Sequence, residues 1–294
     1  RANYRLAWAA YRATDLDTAV KASLVLLQPS ASLRSEAERG KIQQDAVDLI
    51  GDALYETNAK AQTLAILRNR DLAAFASKIG LRTLARYNAN GIHNEAASLG
   101  ESLIEDFPLS AEAPEIMRLT ADSLAKLGKE AKRIAVLEKL AMLLPGQGLW
   151  RSQFKEEQTI VRDMETKARQ AALAVATWHY ERGLASGSLP AFAAAAANFE
   201  MLIDNAPNAD DANQYRLRLA HCHFFAGEYQ AAANLYQALK TEYKVDPETL
   251  QIASYQLVLA NERLWRETYA KISERGGDPH QDADTQKALQ NLEK

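Results

Sequence analysis

His221-Cys222-His223 is the one run in which metal-ligating side chains stand side by side, and Cys222 is the only cysteine in the chain. A zinc site needs its ligands to converge on one point, and a catalytic thiol needs a base or cation that lowers its pKa. On a helix, adjacent residues project about 100° apart, so these three side chains cannot close on one ion. His93 and His179 have no second ligand one turn away. A single thiol also rules out an internal disulfide. Cys222 is therefore expected to pack between helices as a small hydrophobe, and the chain to hold no metal or other cofactor.

Acid–base and phosphate chemistry fare no better. The carboxylate pairs Glu156-Glu157, Asp210-Asp211 and Glu112/Glu115 are expected at helix starts or on polar faces, where the helix dipole and solvent favour them. Gly146-Gln147-Gly148 lacks the preceding strand and the following Lys-Ser/Thr of a phosphate loop. No Gly-x-Ser-x-Gly run occurs. The expectation is a chain that is not an enzyme.

What positions these residues is a succession of helices. Ala, Leu, Glu, Lys, Gln and Arg dominate the 294 residues, while β-branched residues never alternate with polar ones over a strand's length. The chain is 47% hydrophobic and 25% charged, inside the range of folded proteins. An all-α chain follows, with helix content expected above about 65%, twice the usual third. The net charge of −3 comes from 35 basic and 38 acidic residues, interspersed. No basic stripe with interleaved aromatics appears, so nucleic acid is excluded as a partner. Ala171–Thr177 is among the longest apolar runs, far short of the roughly 18 residues of a membrane span. The chain begins Arg1-Ala2-Asn3 without Met, a processed or trimmed end.

The helices come in pairs of repeating design. Leu6-Ala7 is followed by a Thr14-Asp15-Leu16-Asp17 turn and then Ala19 and Ser23. Leu84-Ala85 is followed by a turn at Asn90-Gly91, then Ala96, and Asp106-Phe107-Pro108 closes the unit. Another unit turns at Leu127-Gly128-Lys129 and closes at Pro145. Ala195, Phe199 and Pro207 repeat the spacing. Residues 215–247 carry it most fully, with Ala220, a Gly227-Glu228-Tyr229 turn, Ala232, Tyr236 and a closing Pro247. Ala96 to Pro108 and Ala195 to Pro207 are each twelve residues, and Pro108 to Pro145 is 37. Small Ala lets two helix backbones approach, the large residue four later fills the groove, and Pro stops the second helix. Residues 30–80 read as two degenerate pairs. Within them Ser35 to Glu38 has the look of a helix start, Asp45–Tyr55 is periodic, Asn58 and Asn69 bracket a short helix, and Leu72–Ile79 ends at Gly80. Residues 150–182 read as one or two long helices and Pro247–Ile272 as a last helix or pair. Gly276-Gly277-Asp278-Pro279 then breaks the helix, ahead of a polar, loosely attached tail.

Ala, Phe or Tyr, and Pro at these spacings resemble the tetratricopeptide repeat, a helix–turn–helix unit of about 34 residues. The resemblance covers about two thirds of the chain and leaves 30–80 and 148–180 without a clear match. It implies a right-handed α-solenoid of six to seven helix pairs, arranged as TPR-like pairs over 1–146, more such pairs over 147–275, and the tail at 276–294. It also implies a concave groove that takes a protein partner, since each stacked unit leaves one face open. By the family's pattern that face is lined by Tyr4, Trp8 and Tyr11 in the first unit, Arg82 and Arg86 in the third, and Leu217, His221 and Phe224 in the 215–247 unit. The aromatics could equally complete packing between neighbouring pairs. Arg82 and Arg86, one turn apart, could hold an acidic side chain or a carboxyl terminus, or stand in solvent. The Asp-Phe-Pro and Asn-Ala-Pro repeat ends, the degenerate repeats and the single cysteine are similar to bacterial cell-envelope solenoids. They imply a scaffold in a periplasmic or outer-membrane-associated assembly, with more solenoid or an anchor ahead of Arg1. The alternatives are a helical accessory domain of a larger enzyme and a cytosolic repeat regulator.

Overall fold

The computed structural model describes residues 2–28, 35–145 and 148–293. Pro29 and the Gly146-Gln147 break lie outside the described residues. Helix makes up 80% of the structure and no strand occurs among the described residues, as a sequence so rich in helix formers requires. The order is α1 (Ala2–Arg12), α2 (Leu16–Leu27), α3 (Glu36–Thr57), α4 (Lys60–Leu67), α5 (Ala76–Ala89), α6 (His93–Asp106), α7 (Ala113–Lys126), α8 (Glu130–Ala141), α9 (Leu149–Gln153), α10 (Gln158–Ser186), α11 (Leu189–Asn205), α12 (Ala212–Phe225), α13 (Tyr229–Thr241), α14 (Pro247–Glu274) and α15 (Ala283–Glu293).

The helices form two compact units, Arg1–Leu143 with Gln147–Ala168, and Leu144–Gly146 with Arg169–Lys294. In the first unit α1 packs on α2, α2 on α3, α5 on α6, α6 on α7 and α7 on α8, while α3 also packs on α5 and α5 on α7. In the second unit α11 packs on α12, α12 on α13, α13 on α14 and α14 on α15. The first unit extends past the boundary expected at residue 146, because Trp150 of α9 is buried and its indole N–H donates to the Ser110 carbonyl at 2.7 Å.

One turn recurs. After α1, α5, α7 and α12 a residue in the left-handed region follows the helix: Thr14 (φ 60°), Gly91 (71°), Gly128 (66°) and Gly227 (82°). Each time the next residue's N–H reaches five residues back: Asp15 to Ala10, Ile92 to Tyr87, Lys129 to Leu124 and Glu228 to His223, all at 2.9–3.0 Å. This is the Schellman closure, which satisfies carbonyls the helix end leaves free. Gly276 (φ 74°) ends α14 in the same way, with the Gly277 N–H on the Ile272 carbonyl at 3.0 Å. Thr14 is the exception in chemistry. A β-branched residue is strained where glycine is not. Thr14→Gly should therefore raise stability by about 1 kcal/mol. A chemical-denaturation midpoint that falls or stays unchanged would show that the turn is not strained.

The small residues sit where expected. Ala7, Ala19, Ala96, Ala195, Ala220 and Ala232 are buried, as are Phe199 and Tyr236; Ala85 is only half-buried. Ser35 caps α3, its hydroxyl accepting from the Glu38 N–H at 3.2 Å.

Four details differ from the sequence reading. Gly80 does not end a helix but lies inside α5, where an added Cβ would stand 2.6 Å from Leu103 of α6. It is a contact glycine, not a terminator. Pro247 does not close α13, which stops at Thr241, but opens α14 as its first residue behind the Asp246 cap. Residues 150–182 fall into one short and one long helix, interrupted between Phe154 and Glu157. The tail is not loose, since residues 283–293 form α15, which buries Thr285 and Ala288.

Candidate partner-binding faces

In the first unit, Tyr4, Trp8 and Tyr11 fall on one side of α1 by their four- and three-residue spacing, and all three are half-buried. The Tyr4 hydroxyl donates to Asp45 of α3 at 2.9 Å, and this bond holds the phenol above its usual pKa. Trp8 meets Tyr11 edge-on with ring centres 6.4 Å apart. Burial and the nearby carboxylates Asp52 and Glu56 raise the Tyr11 phenol, against the opposing pull of Arg86 and Arg82.

Arg82 and Arg86 are not an open anion receptor. Arg82 grips Asp52 with both ends of its guanidinium, at 2.8 and 2.9 Å. Arg86 approaches the same carboxylate at 3.4 Å and Glu56 at 4.0 Å, with its guanidinium 5.0 Å from the centre of the Tyr55 ring. Gly51 makes this possible: a Cβ there would stand 2.5 Å from the Arg82 Cγ, so only a bare backbone lets the Arg82 stem cross α3. Both Arg side chains remain more than a third exposed, so each ion pair contributes at most about 1 kcal/mol. The acidic ligand that these arginines could take from a partner is supplied by the chain itself.

The carboxylates that do this escaped the sequence reading. Asp45, Asp48, Asp52 and Glu56 recur at intervals of three, four and four residues, which places them along one face of α3. They lie in the stretch where no repeat pattern was visible. A helical projection of that stretch would have shown them. The same saturation holds on α7, where Arg118 bonds Glu115 at 2.6 Å and Asp122 at 2.7 Å, and Lys167 approaches Glu115 at 3.4 Å. What the face of α1, α3 and α5 leaves exposed or half-exposed is the Trp8/Tyr11 pair and the outer carboxylates Asp48, which accepts from Gln44 at 3.1 Å, and Glu56, which lies 4.0 Å from Arg86.

In the second unit the three expected residues have different fates. Leu217 is only 6% exposed and belongs to the core with Ala220, Ala232, Tyr236 and Leu257; it cannot touch a partner. It sits on the helix side that meets α13 and α14, so it contributes packing instead. His221 is half-buried, 3.3 Å by its Nδ1 from the Tyr180 hydroxyl of α10 and ring to ring with Tyr236 of α13 at 5.9 Å. Phe224 is half-buried and edge-on to Phe225 and Tyr229, with ring centres 5.6 and 5.4 Å apart. Phe225, which the repeat pattern did not single out, is the exposed aromatic here at 44% and stacks on Phe192 at 5.3 Å. Its position as the last residue of α12, beside the Gly227 turn, was the available signal.

The His221-Cys222-His223 run diverges. His221 turns to Tyr180 and Tyr236, Cys222 is buried, and the His223 Nδ1 lies 2.5 Å from Glu228. Burial pushes the Cys222 thiol up to about 12, which leaves almost no thiolate at neutral pH. No helix among the described residues is long and apolar enough to cross a membrane. Comparison with protein-family models finds no match for this chain, and comparison with curated proteins finds none.

Proposed function

We propose that this chain is a non-catalytic scaffold of tetratricopeptide-like helix pairs that holds a protein partner, within a bacterial envelope assembly. The observation that carries the reading is the recurring turn: of the five helices that close through the same pair of hydrogen bonds around a left-handed residue, four (α1, α5, α7 and α12) lead within a few residues into a second helix. Five residues after the left-handed residue a fully buried Ala follows on the next helix in three of the four, Ala19, Ala96 and Ala232; after Gly128 that position is the half-buried Arg133, and the buried residue is the next one, Ile134. Repetition of one helix–turn–helix design is what stacked-repeat scaffolds are made of. The envelope placement rests on the Asp-Phe-Pro and Asn-Ala-Pro unit ends and the single cysteine.

Within this reading the open aromatics serve as anchors, because Trp, Tyr and Arg supply most of the energy at protein interfaces and the arginines here are already engaged. Trp8→Ala should weaken capture of the partner from the native cell by at least about 1 kcal/mol, roughly fivefold or more. Its thermal midpoint is measured alongside, since Trp8 also covers part of the contact between α1 and α2. A Trp8→Ala chain that keeps both its fold and its full affinity would remove the α1 face from the interface. Stoichiometric turnover of any substrate by the purified chain would overturn the scaffold reading itself.

A further inference from the structure

The second unit carries a polar cluster, with Cys222 and Tyr236 buried and Tyr180 and His221 half-buried, that packing alone does not explain. Tyr180 of α10, His221 and Cys222 of α12 and Tyr236 of α13 come together where these helices meet. The cluster is under-bonded. His221 shares one hydrogen bond with Tyr180 through Nδ1, while its Nε2 and the Tyr236 hydroxyl are both buried with no hydrogen-bond partner among the described residues. A core that needed only packing would place Leu or Phe at these positions, because an unpaired buried polar atom is costly.

The charges around the imidazole point one way. From α10 it faces the neutral Tyr180, from α13 the neutral Tyr236, and from its own helix Arg218, one turn earlier. Arg218 lies 5.8 Å from the centre of the Tyr180 ring, so it is on the same side of the cluster. No charged group of α11 or α14 bears on the imidazole, and among the described residues no carboxylate pairs with it. We infer that His221 is an acid-sensitive latch: the neutral imidazole joins α10, α12 and α13 through Tyr180 and Tyr236, and protonation sets a second cation beside Arg218 in a site with no anion to receive it, loosening the second unit.

Burial, with Arg218 adding to it, holds the folded His221 at about 4, against an ordinary value of 6.5. The folded value is the lower one, so the unfolded chain binds the proton first as pH falls. The stability due to neutral His221 is complete above about pH 6.5 and is lost progressively down to about pH 4. Within that window one proton shifts the unfolding equilibrium by up to about tenfold per pH unit. His221 and Phe224 stand on the same helix, so the loosening would also reset the surface that Phe224 and Phe225 present.

The test is denaturant unfolding of the full chain between pH 7.5 and 4, read by hydrogen exchange over α10–α13. The parent should lose protection there as pH falls, and His221→Asn, which keeps a polar group but cannot become a cation, should lose about tenfold less per pH unit. Tyr236→Phe removes the unpaired hydroxyl and keeps the imidazole, so it should retain the parent's pH dependence. Should His221→Asn fail to fold, the parent answers directly. Among its five histidines, the imidazole resonance displaced by both Tyr180→Phe and Tyr236→Phe is His221, and it should stay neutral down to about pH 5. A His221 resonance that titrates near 6.5, or identical pH profiles for parent and His221→Asn, would overturn the latch.

Discussion

Replacing Trp150 by alanine should cost the first unit about 3–5 kcal/mol, the range for emptying a fully buried large aromatic site. Trp150 is 2% exposed, its N–H is bonded to the Ser110 carbonyl at 2.7 Å, and its ring rests on Phe154 with centres 4.6 Å apart. The substitution removes the apolar contacts and leaves a carbonyl without its donor, and the two losses act in the same direction. The neighbouring Leu149 is 77% exposed, so Leu149→Ala should stay within about 0.5 kcal/mol of the parent. Denaturant midpoints of the two variants, with hydrogen exchange over α7 and α9, compare them directly. If Trp150→Ala loses no more than Leu149→Ala, the five-residue α9 is not anchored through its tryptophan. The segment up to Ala168 would then owe its place in the first unit to its other buried residues, Val161 and Met164 among them, and to the Lys167–Glu115 ion pair at 3.4 Å.

The sequence pattern proved most informative where one residue's steric demand decides the local structure. Gly91, Gly128 and Gly227 mark turns because the backbone there is left-handed. Ala96, Ala195 and Ala232 mark helix contacts, and each is fully buried. The pattern was silent or misleading where two causes share one residue type. Glycine ends helices and also lets them touch, and nothing within Leu72–Leu84 separates the two, so Gly80 looked like an end. Proline stops one helix and starts another with equal ease, which is how Pro247 changed sides. Leu217 holds a position that faces a groove in the family pattern. An aliphatic side chain there gains more from the core of α13 and α14 than from solvent, and it turns inward.

The candidate face was legible as positions and illegible as chemistry. Spacing located Arg82 and Arg86 on one side of α5, but whether they wait for a partner or are already paired depends on which helix lies opposite. That helix is α3, whose sequence shows no repeat motif, and its Asp52 takes both arginines. Pairing between residues 30 apart cannot be read from local periodicity. The same reasoning explains why His221 looked like a surface residue: its partners Tyr180 and Tyr236 lie 41 and 15 positions away on other helices.

Phe199→Ala should cost the second unit about 3–5 kcal/mol, and Phe199→Leu less than about 1.5 kcal/mol, since leucine still fills most of the site. Phe199 is fully buried on α11, one turn beyond the equally buried Ala195, and stacks on Tyr215 of α12 with ring centres 6.2 Å apart. Ala195 lets α11 come close to its neighbour, and Phe199 fills the space that opens beside that contact. Removing the ring leaves a cavity that Ala195 is too small to close. Tyr215 cannot swing in to fill it, because its hydroxyl is hydrogen-bonded to Asp211 and its ring is already buried. The loss should appear as lowered amide protection centred on α11 and α12, measured by hydrogen exchange beside the denaturant midpoint. A loss below about 1 kcal/mol would mean that the helices collapse onto the cavity. The small–large pair four residues apart would then not be what sets the spacing of these helices, and the repeat reading of residues 189–241 would lose its physical basis.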